Sequence, residues 1–206
     1  MPTETDSNKP LPKRAGNDMK AIIIALVVMF CALGSDLFVK NLAFHNVAGY
    51  VVNPNDIPHH DAVNLIPSIL SLKLVANRGA VFGIGQGQRW MFIILGIIAI
   101  VVIVTTFLKS AAHRRWMHIA LAMILAGALG NLYDRVMIGA VRDMLWLFPG
   151  VKLPFGWHWP RGNDELYPWV FNIADMALLF GLGIILIVLW RDDSKSAKKK
   201  ALDVEG

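Results

Sequence analysis

One segment limits the fold of this chain more than any other: residues 90–108 contain no ionisable side chain. A helix that crosses a bilayer needs about 20 mostly apolar residues, so this segment predicts a transmembrane span. Charged residues make up only 17% of the chain, against roughly 25% in soluble domains. Three further segments have similar length and hydropathy. We therefore predict an all-α membrane protein with four transmembrane helices, at about residues 21–40, 90–108, 116–134 and 170–190.

Basic residues predict how these spans are oriented, because lysine and arginine are enriched on the cytoplasmic side of membrane proteins. Twelve of them lie in residues 1–20, in the link 109–115 and after residue 190, whereas six lie in the two longer loops. Both termini are therefore predicted to be cytoplasmic, and loops 41–89 and 137–169 to be extracytoplasmic. The first span is expected to be retained, because no small-x-small signal-peptide cleavage site closes it.

The same reasoning predicts how the chain is divided. Residues 20–190 form the four-span domain, preceded by an N-terminal extension at 1–19 and followed by a basic tail at 191–206. Both polar ends are expected to be disordered, because they contain too little apolar surface to form a core.

The two long loops carry different patterns. Apolar and polar residues alternate from Ser71 to Val75, which predicts a short sheet on the membrane surface. Residues 144–169 hold four tryptophans and four prolines. Since tryptophan is enriched at the headgroup level, this segment is expected to rest there. The predicted fold class is therefore all-α, with a small extracytoplasmic β-rich loop region.

The sequence offers little for metals, disulfides or nucleic acid. Cys31 is the only cysteine, and the six histidines show no metal-ligand spacing. The net charge is +5, but the basic residues gather at the ends of apolar segments and not on one polar face. We therefore predict no metal, no cofactor and no nucleic-acid partner.

Polar residues within or beside the spans are the most informative feature for function. A charged side chain at the centre of a span costs at least ~2.5–3.5 kcal/mol, so such residues are functional candidates by default. Asp36 and Lys40 are spaced i, i+4 and are expected to form a structural ion pair. The others cluster at the extracytoplasmic ends of spans three and four: Asn131, Asp134, Arg135, Asp143, Asn172 and Asp175.

Two carboxyl groups in one poorly hydrated site can perform acid–base chemistry. They do not both ionise easily, so one pKa rises and a proton is held between them. One carboxylate can then activate water while its protonated partner polarises a carbonyl, as in aspartic peptidases. Asp134, Asp143 and Asp175 are all candidates for this pair, and their spacing alone does not choose between them.

Five sequence blocks, taken together, resemble the lipoprotein signal peptidase family, also called signal peptidase II. The blocks occur in family order at residues 35–40 (SDLFVK), 77–83 (NRGAVFG), 130–135 (GNLYDR), 139–143 (GAVRD) and 171–175 (FNIAD). The resemblance implies a four-span aspartic endopeptidase of the bacterial cytoplasmic (inner) membrane, with its active site toward the outer leaflet. It also implies the reaction, which is removal of the signal peptide from prolipoproteins just before a cysteine that bears diacylglycerol.

Carried over residue by residue, the resemblance implies a role for each polar residue. Asp143 and Asp175 would be the catalytic pair. Substrate would be bound by Asn77, Asn131, Arg135 and Asn172. Asp36, Lys40, Gly79 and Asp134 would support them. The expected partners are lipidated prolipoproteins and membrane phospholipid, and the protein is expected to be monomeric.

Three features depart from the family, and one alternative function stays open. The first departure is the polar N-terminal extension. Arg142 stands beside Asp143, where an apolar residue is more usual, and it is expected to point outward. The segment between Asp143 and Asp175 is longer than the family leads us to expect. The alternative is a small ion-coupled transporter or channel that relays ions through membrane-embedded carboxylates. It requires polar residues through the full membrane depth, and the cytoplasmic halves of the spans lack them.

Overall fold

The computed structural model describes residues 13–47, 61–79, 85–160 and 162–205, with side chains described as far as residue 197. Within them lie four long helices: α1 (Met19–Asn46), α2 (Arg89–Lys109), α3 (Arg115–Met137) and α4 (Ile173–Glu205). Each contains a segment long and apolar enough to cross a membrane. The predicted four-helix membrane fold is thereby confirmed.

Two helices, α1 and α4, run more than three residues beyond the ends of their predicted spans. α1 continues six residues past Lys40, because Ala43 and Phe44 are buried against a small sheet. The tail at 191–206 was expected to be disordered, and this expectation is wrong for residues 191–205, which continue α4 as helix. Alanine and lysine, which recur through the tail, are strong helix formers, so the helix propagates beyond its apolar segment.

The N-terminal extension is also more ordered than expected in its described part. Residues 15–17 form a 3₁₀ turn, and backbone hydrogen bonds tie it to the link between α2 and α3. Ala15 N–H donates to Ser110 O at 2.8 Å, and Ala112 N–H donates to Lys13 O at 2.8 Å. The expectation of disorder is therefore wrong for residues 13–18, and residues 1–12 lie outside the described part of the chain.

Helix α3 is the centre of the bundle and packs against the other three helices. Glycines make the contact with α4 close. A side chain at Gly127 would collide with the carbonyl oxygen of Ala174, and a Cβ at Gly181 would lie 2.6 Å from the Ile124 side chain. Small residues allow two helix backbones to approach in a membrane, where packing replaces the hydrophobic effect as the driving force.

Four antiparallel strands form the predicted β region at one end of the bundle, here called the sheet end. Their order is β1 (Val63–Ile66), β2 (Leu70–Asn77), β3 (Val141–Leu147) and β4 (Val170–Phe171). The alternating pattern correctly located β2, but the sheet also recruits β3 from the second loop and β4 from the first two residues of the predicted fourth span. The register places Val75 opposite Asp143 and Asn77 opposite Val141. Residues distant in the sequence therefore meet at this end of the bundle.

The Trp- and Pro-rich segment between β3 and β4 folds back on itself. Trp159 packs edge-on against Trp169 at 4.6 Å between ring centroids, and its indole N–H donates to Glu165 O at 2.8 Å. Phe155 and Trp157 protrude and are 90% and 65% exposed. The placement of this segment at the headgroup level stays a prediction.

Candidate active site

The first turn of α4 is fixed by side chains that the sequence reasoning had singled out. Asn172 precedes the helix, and its side-chain oxygen accepts the Asp175 N–H at 2.9 Å. Asp175 returns the contact by accepting the Asn172 N–H at 3.2 Å. Such a reciprocal capping box satisfies N–H groups that have no partner within the helix. Asp36 of α1 accepts a third, the Ala174 N–H, at 2.8 Å.

Asp143 lies on β3 and is only 2% exposed. Its two carboxyl oxygens accept hydrogen bonds from amide groups, one from Asn77 Nδ2 at 3.1 Å and the other from Asn172 Nδ2 at 2.6 Å. Burial raises the pKa of Asp143 to about 7, and the charge of Asp175 adds to the rise, while the two amide hydrogen bonds oppose it. A buried carboxyl group is therefore held close to its titration point at neutral pH.

Asn131 of α3 links the two halves of the site. Its Nδ2 donates to Asp175 Oδ1 at 2.8 Å. Its Oδ1 accepts from Asn172 Nδ2 and from Lys40 Nζ, both at 3.2 Å. A continuous path of hydrogen bonds thus runs from Asp143 through Asn172 and Asn131 to Asp175.

A buried ion cluster contacts this path through Lys40. The predicted pair is present, since Lys40 Nζ lies 2.7 Å from Asp36 Oδ2. The same ammonium lies 3.1 Å from Asp134 Oδ2, and all three side chains are at most 1% exposed. A Cβ at Gly130 would collide with the Asp36 carboxylate. The missing side chain at Gly130 therefore leaves space both for the Asp36 carboxylate and for the approach of α1, which carries it.

Arg142 was expected to point outward, and this expectation is wrong. Its side chain is only 14% exposed. Its Nη2 and Nε donate to Asp134 Oδ1 at 2.8 Å and 3.1 Å, and its backbone N–H donates to Asp134 Oδ2 at 3.0 Å. Neighbouring residues of a strand face opposite sides, so Arg142 turns away from Asp143. It meets the buried Asp134 there instead of solvent.

Arg135 joins α3 to the loop after β2. Its Nη1 donates to Asn131 O and its Nη2 to Gly79 O, both at 3.2 Å. Gly79 is itself held by Asn77, whose Oδ1 accepts the Gly79 N–H at 3.0 Å. The guanidinium is half-buried and lies 5.1 Å from the centre of the Phe92 ring.

All ten site residues named from the sequence therefore meet at the sheet end, in one connected set of contacts. Among the described residues, the contact of Arg142 with this set was not expected, and Arg89 and Phe92 of α2, which also touch it, were missed. Arg89 offered a signal, because it is one of the six basic residues in the two long loops, where lysine and arginine are sparse. Phe92 offered none, since it belongs to a uniformly apolar segment.

The arrangement offers carboxyl, amide and guanidinium groups and no evident metal site. Among the described residues, no group of three or more histidine, cysteine, aspartate or glutamate side chains is placed to hold a metal ion.

At the opposite end of α3, His118 is buried and lies 2.9 Å from Ser110 Oγ. Residues 119–130 between the two ends carry no polar side chain.

Comparisons with known proteins identify a family that this chain resembles over most of its length. A family model described as signal peptidase (SPase) II matches residues 26–191. The lipoprotein signal peptidase of Halalkalibacterium halodurans is 37% identical over 140 residues, which are 68% of this chain and 81% of the relative. That of Staphylococcus aureus (strain MRSA252) is 33% identical over 157 residues, or 76% and 87%.

A solved structure has a similar fold. It is described as a bacterial membrane enzyme determined by the in meso method, and it aligns with a TM-score of 0.62 at 30% identity. The alignment covers 85% of this chain and 90% of that one. Every site residue described above lies within the segment that the family model matches.

Proposed function

Because the chain belongs to the signal peptidase II family, we propose that Asp143 and Asp175 are its catalytic pair. The chain is a multi-pass bacterial membrane protein and an aspartic endopeptidase that removes signal peptides from prolipoproteins. One observation carries the assignment of the pair. Asp143 and Asp175 are joined by the amides of Asn172 and Asn131, whereas Asp134 is enclosed by the cations Lys40 and Arg142.

The two carboxyl groups divide the acid and base roles according to their surroundings. Asp143 is buried, and its pKa of about 7 lets it hold a proton at neutral pH. Asp175 is half-buried, so water reaches it more readily. In the proposed reaction Asp175 takes a proton from water, and the hydroxide attacks the peptide carbonyl carbon. Asp143 donates its proton to the carbonyl oxygen, which gives a tetrahedral gem-diol. The C–N bond then breaks as the Asp175 proton passes to the departing amine and one hydroxyl proton of the gem-diol returns to Asp143, so both carboxyl groups regain their starting state.

The charge balance of the site, counted without the half-buried Arg89 at its edge, agrees with a single proton on the carboxyl pair. Its carboxyl groups are Asp36, Asp134, Asp143 and Asp175, and its cations are Lys40, Arg135 and Arg142. One proton on the carboxyl pair makes the numbers of negative and positive charges equal. A buried site without net charge avoids the large cost of an unpaired ion in a medium of low dielectric constant.

The remaining polar groups are proposed to hold the substrate and the machinery. Asn77, Asn131, Arg135 and Asn172 are proposed to hold the peptide so that its carbonyl group meets the carboxyl pair, and to stabilise the negative charge that develops on the carbonyl oxygen before Asp143 protonates it. Asp36, Lys40, Gly79 and Asp134 support them. Cleavage is proposed to occur just before a cysteine that bears diacylglycerol, whose acyl chains contribute about 0.8 kcal/mol per buried methylene.

The placement in the membrane is part of the same proposal. Both termini are cytoplasmic and the site lies toward the outer leaflet, in agreement with the distribution of lysine and arginine. The enzyme acts as a monomer surrounded by phospholipid and binds no nucleic acid. The transporter alternative is not favoured, since the polar residues of α3 stop at its two ends and none lies between residues 119 and 130.

Cleavage of a lipidated preprolipoprotein by single variants tests the catalytic pair. Asp143→Asn and Asp175→Asn should each abolish cleavage while substrate still binds, because asparagine keeps the shape of the side chain but cannot exchange the proton. Asp134→Asn should slow turnover or impair folding yet leave measurable activity. Membrane abundance, measured by blot, separates lost chemistry from lost protein.

An unlipidated preprolipoprotein provides the substrate control and should be cleaved poorly or not at all by the wild type. Equal cleavage of the two forms would reject the diacylglyceryl requirement. Robust turnover by Asp143→Asn, together with an abundant but inactive Asp134→Asn, would move the pair to Asp134 and Asp175.

A further inference from the structure

The first residue of α2 holds the last turn of α3. Arg89 Nε donates to the carbonyl oxygen of Arg135 at 2.6 Å, and its Nη2 donates to that of Val136 at 2.8 Å. The final carbonyls of a helix lack partners within the helix, and a cation there also interacts favourably with the helix dipole. The backbone that carries Arg135 is thus fixed from a neighbouring helix.

The next turn of α2 contacts the side chain of the same residue. Phe92 lies three residues after Arg89, so the two share a helical face. Its ring centre is 5.1 Å from the Arg135 guanidinium carbon, within the distance at which a cation is attracted to an aromatic face. One face of α2 therefore restrains Arg135 both at its backbone and at its guanidinium.

Gly139 lies against Arg89 where the chain leaves α3. It follows the end of α3 with a φ of 91°, a left-handed conformation that favours glycine. A Cβ at Gly139 would lie 3.5 Å from Arg89 Nη1. The turn at Gly139 also leads into β3 and Asp143. Arg89 therefore lies against the connection between Arg135 and one carboxyl group of the proposed catalytic pair.

We propose that Arg89 and Phe92 are positioning residues that hold the Arg135 guanidinium in place for the substrate. The inference rests on the proposed function, in which Arg135 donates to the peptide. Neither residue contacts Asp143 or Asp175 in the described hydrogen-bond network, so both act through Arg135. Displacing a positioned group by about 1 Å can cost up to about 10²-fold in rate. Loss of the contacts that Arg89 and Phe92 make with Arg135 should therefore lower the rate of cleavage.

A double-mutant cycle tests the inference, because two residues that act through one another give non-additive effects. Arg89→Gln should lower kcat/KM by about tenfold, mainly by raising KM. In an Arg135→Ala background the same substitution should change kcat/KM less than about twofold. Arg89→Lys, which can still donate to one carbonyl, should fall between wild type and Arg89→Gln.

Two further variants keep the experiment interpretable. Phe92→Leu preserves apolar volume but removes the aromatic face, and it should show the same dependence on Arg135 even if Arg89→Gln accumulates poorly. Arg115→Gln is the matched control. Arg115 is also the first residue of a transmembrane helix but is exposed at the other end of the bundle. It should retain the wild-type kcat/KM.

The outcomes separate the inference from the function on which it rests. Equal losses caused by Arg89→Gln with and without Arg135 would overturn the inference, because Arg89 would then act independently. An inactive Arg135→Ala beside a fully active Arg89→Gln would also overturn it, while the substrate role of Arg135 would stand. Full activity of Arg135→Ala would instead overturn that role, and the inference with it.

Discussion

Replacing Asp143 by asparagine should make the protein's free energy of unfolding less dependent on pH. In the folded protein burial raises the pKa of Asp143 from 3.8 to about 7, whereas the unfolded chain exposes this carboxyl group to water. A group whose pKa is raised on folding binds its proton more tightly in the native state. Its contribution to stability is complete below about pH 4 and is lost as the pH rises through about 7.

The size of the effect follows from the two pKa values. A difference of about three units is equivalent to about 4 kcal/mol when the group is fully titrated. Integrated between pH 5 and pH 8 alone, it amounts to about 2 to 3 kcal/mol. Asparagine resembles the protonated acid in shape and in its ability to donate. Asparagine does not titrate, so any difference between its hydrogen bonds with Asn77 and Asn172 and those of the wild-type acid is the same at every pH.

The assay is equilibrium unfolding of the purified protein in detergent at pH 5, 6, 7 and 8, without substrate. The stability of Asp143→Asn relative to the wild type should increase by about 2 to 3 kcal/mol from pH 5 to pH 8. Asp164→Asn is the matched control. Asp164 is a partly exposed carboxylate whose pKa is lowered by its hydrogen bond with Lys152, so it cannot produce a gain with rising pH. A constant difference between wild type and Asp143→Asn across this range would refute the reasoning.

Two further substitutions test the buried ion cluster and the close contact between Gly130 and the Asp36 carboxylate. Lys40→Met should destabilise the protein by about 3–5 kcal/mol, because it leaves the buried Asp36 and Asp134 without their shared cation. Its unfolding free energy is compared with that of Lys20→Met at the exposed start of α1, and equal losses would contradict the cluster's role. Gly130→Ala should reduce both activity and membrane abundance, since its Cβ meets the Asp36 carboxylate, whereas Gly183→Ala meets nothing within 4 Å. Equal membrane abundance and equal activity of the two glycine variants would contradict this prediction, because they would show that α1 and α3 can move apart.

Much of the fold could be predicted because its signals are local. Hydropathy identified the four helices, and an i, i+4 spacing identified the Asp36–Lys40 pair, since both depend on residues that are close in the sequence. The contact between Asn77 and Asp143 joins residues 66 apart and depends on the register of β2 against β3. No local pattern in the sequence reports that register.

The choice among the three candidate acids shows the same limit. Asp134, Asp143 and Asp175 all lie near the ends of apolar segments, so their sequence surroundings are alike. Their partners differ, since Asp134 meets Lys40 and Arg142, whereas the other two meet asparagine amides. The misjudged direction of Arg142 has the same origin. Its partner depends on how the chain turns after α3, and residue spacing does not reveal this turn.

Because of the capping box at the start of α4, the position of the Asp175 carboxylate depends on whether one helical turn stays closed. Fraying of a single helical turn would release the Ala174 and Asp175 amides from Asp36 and Asn172, and it would move the Asp175 carboxylate in the same step. Local openings of this kind are measured by hydrogen exchange. The deuterium uptake of these two amides would therefore report the fraction of molecules whose proposed catalytic base is out of place, without any substrate being present.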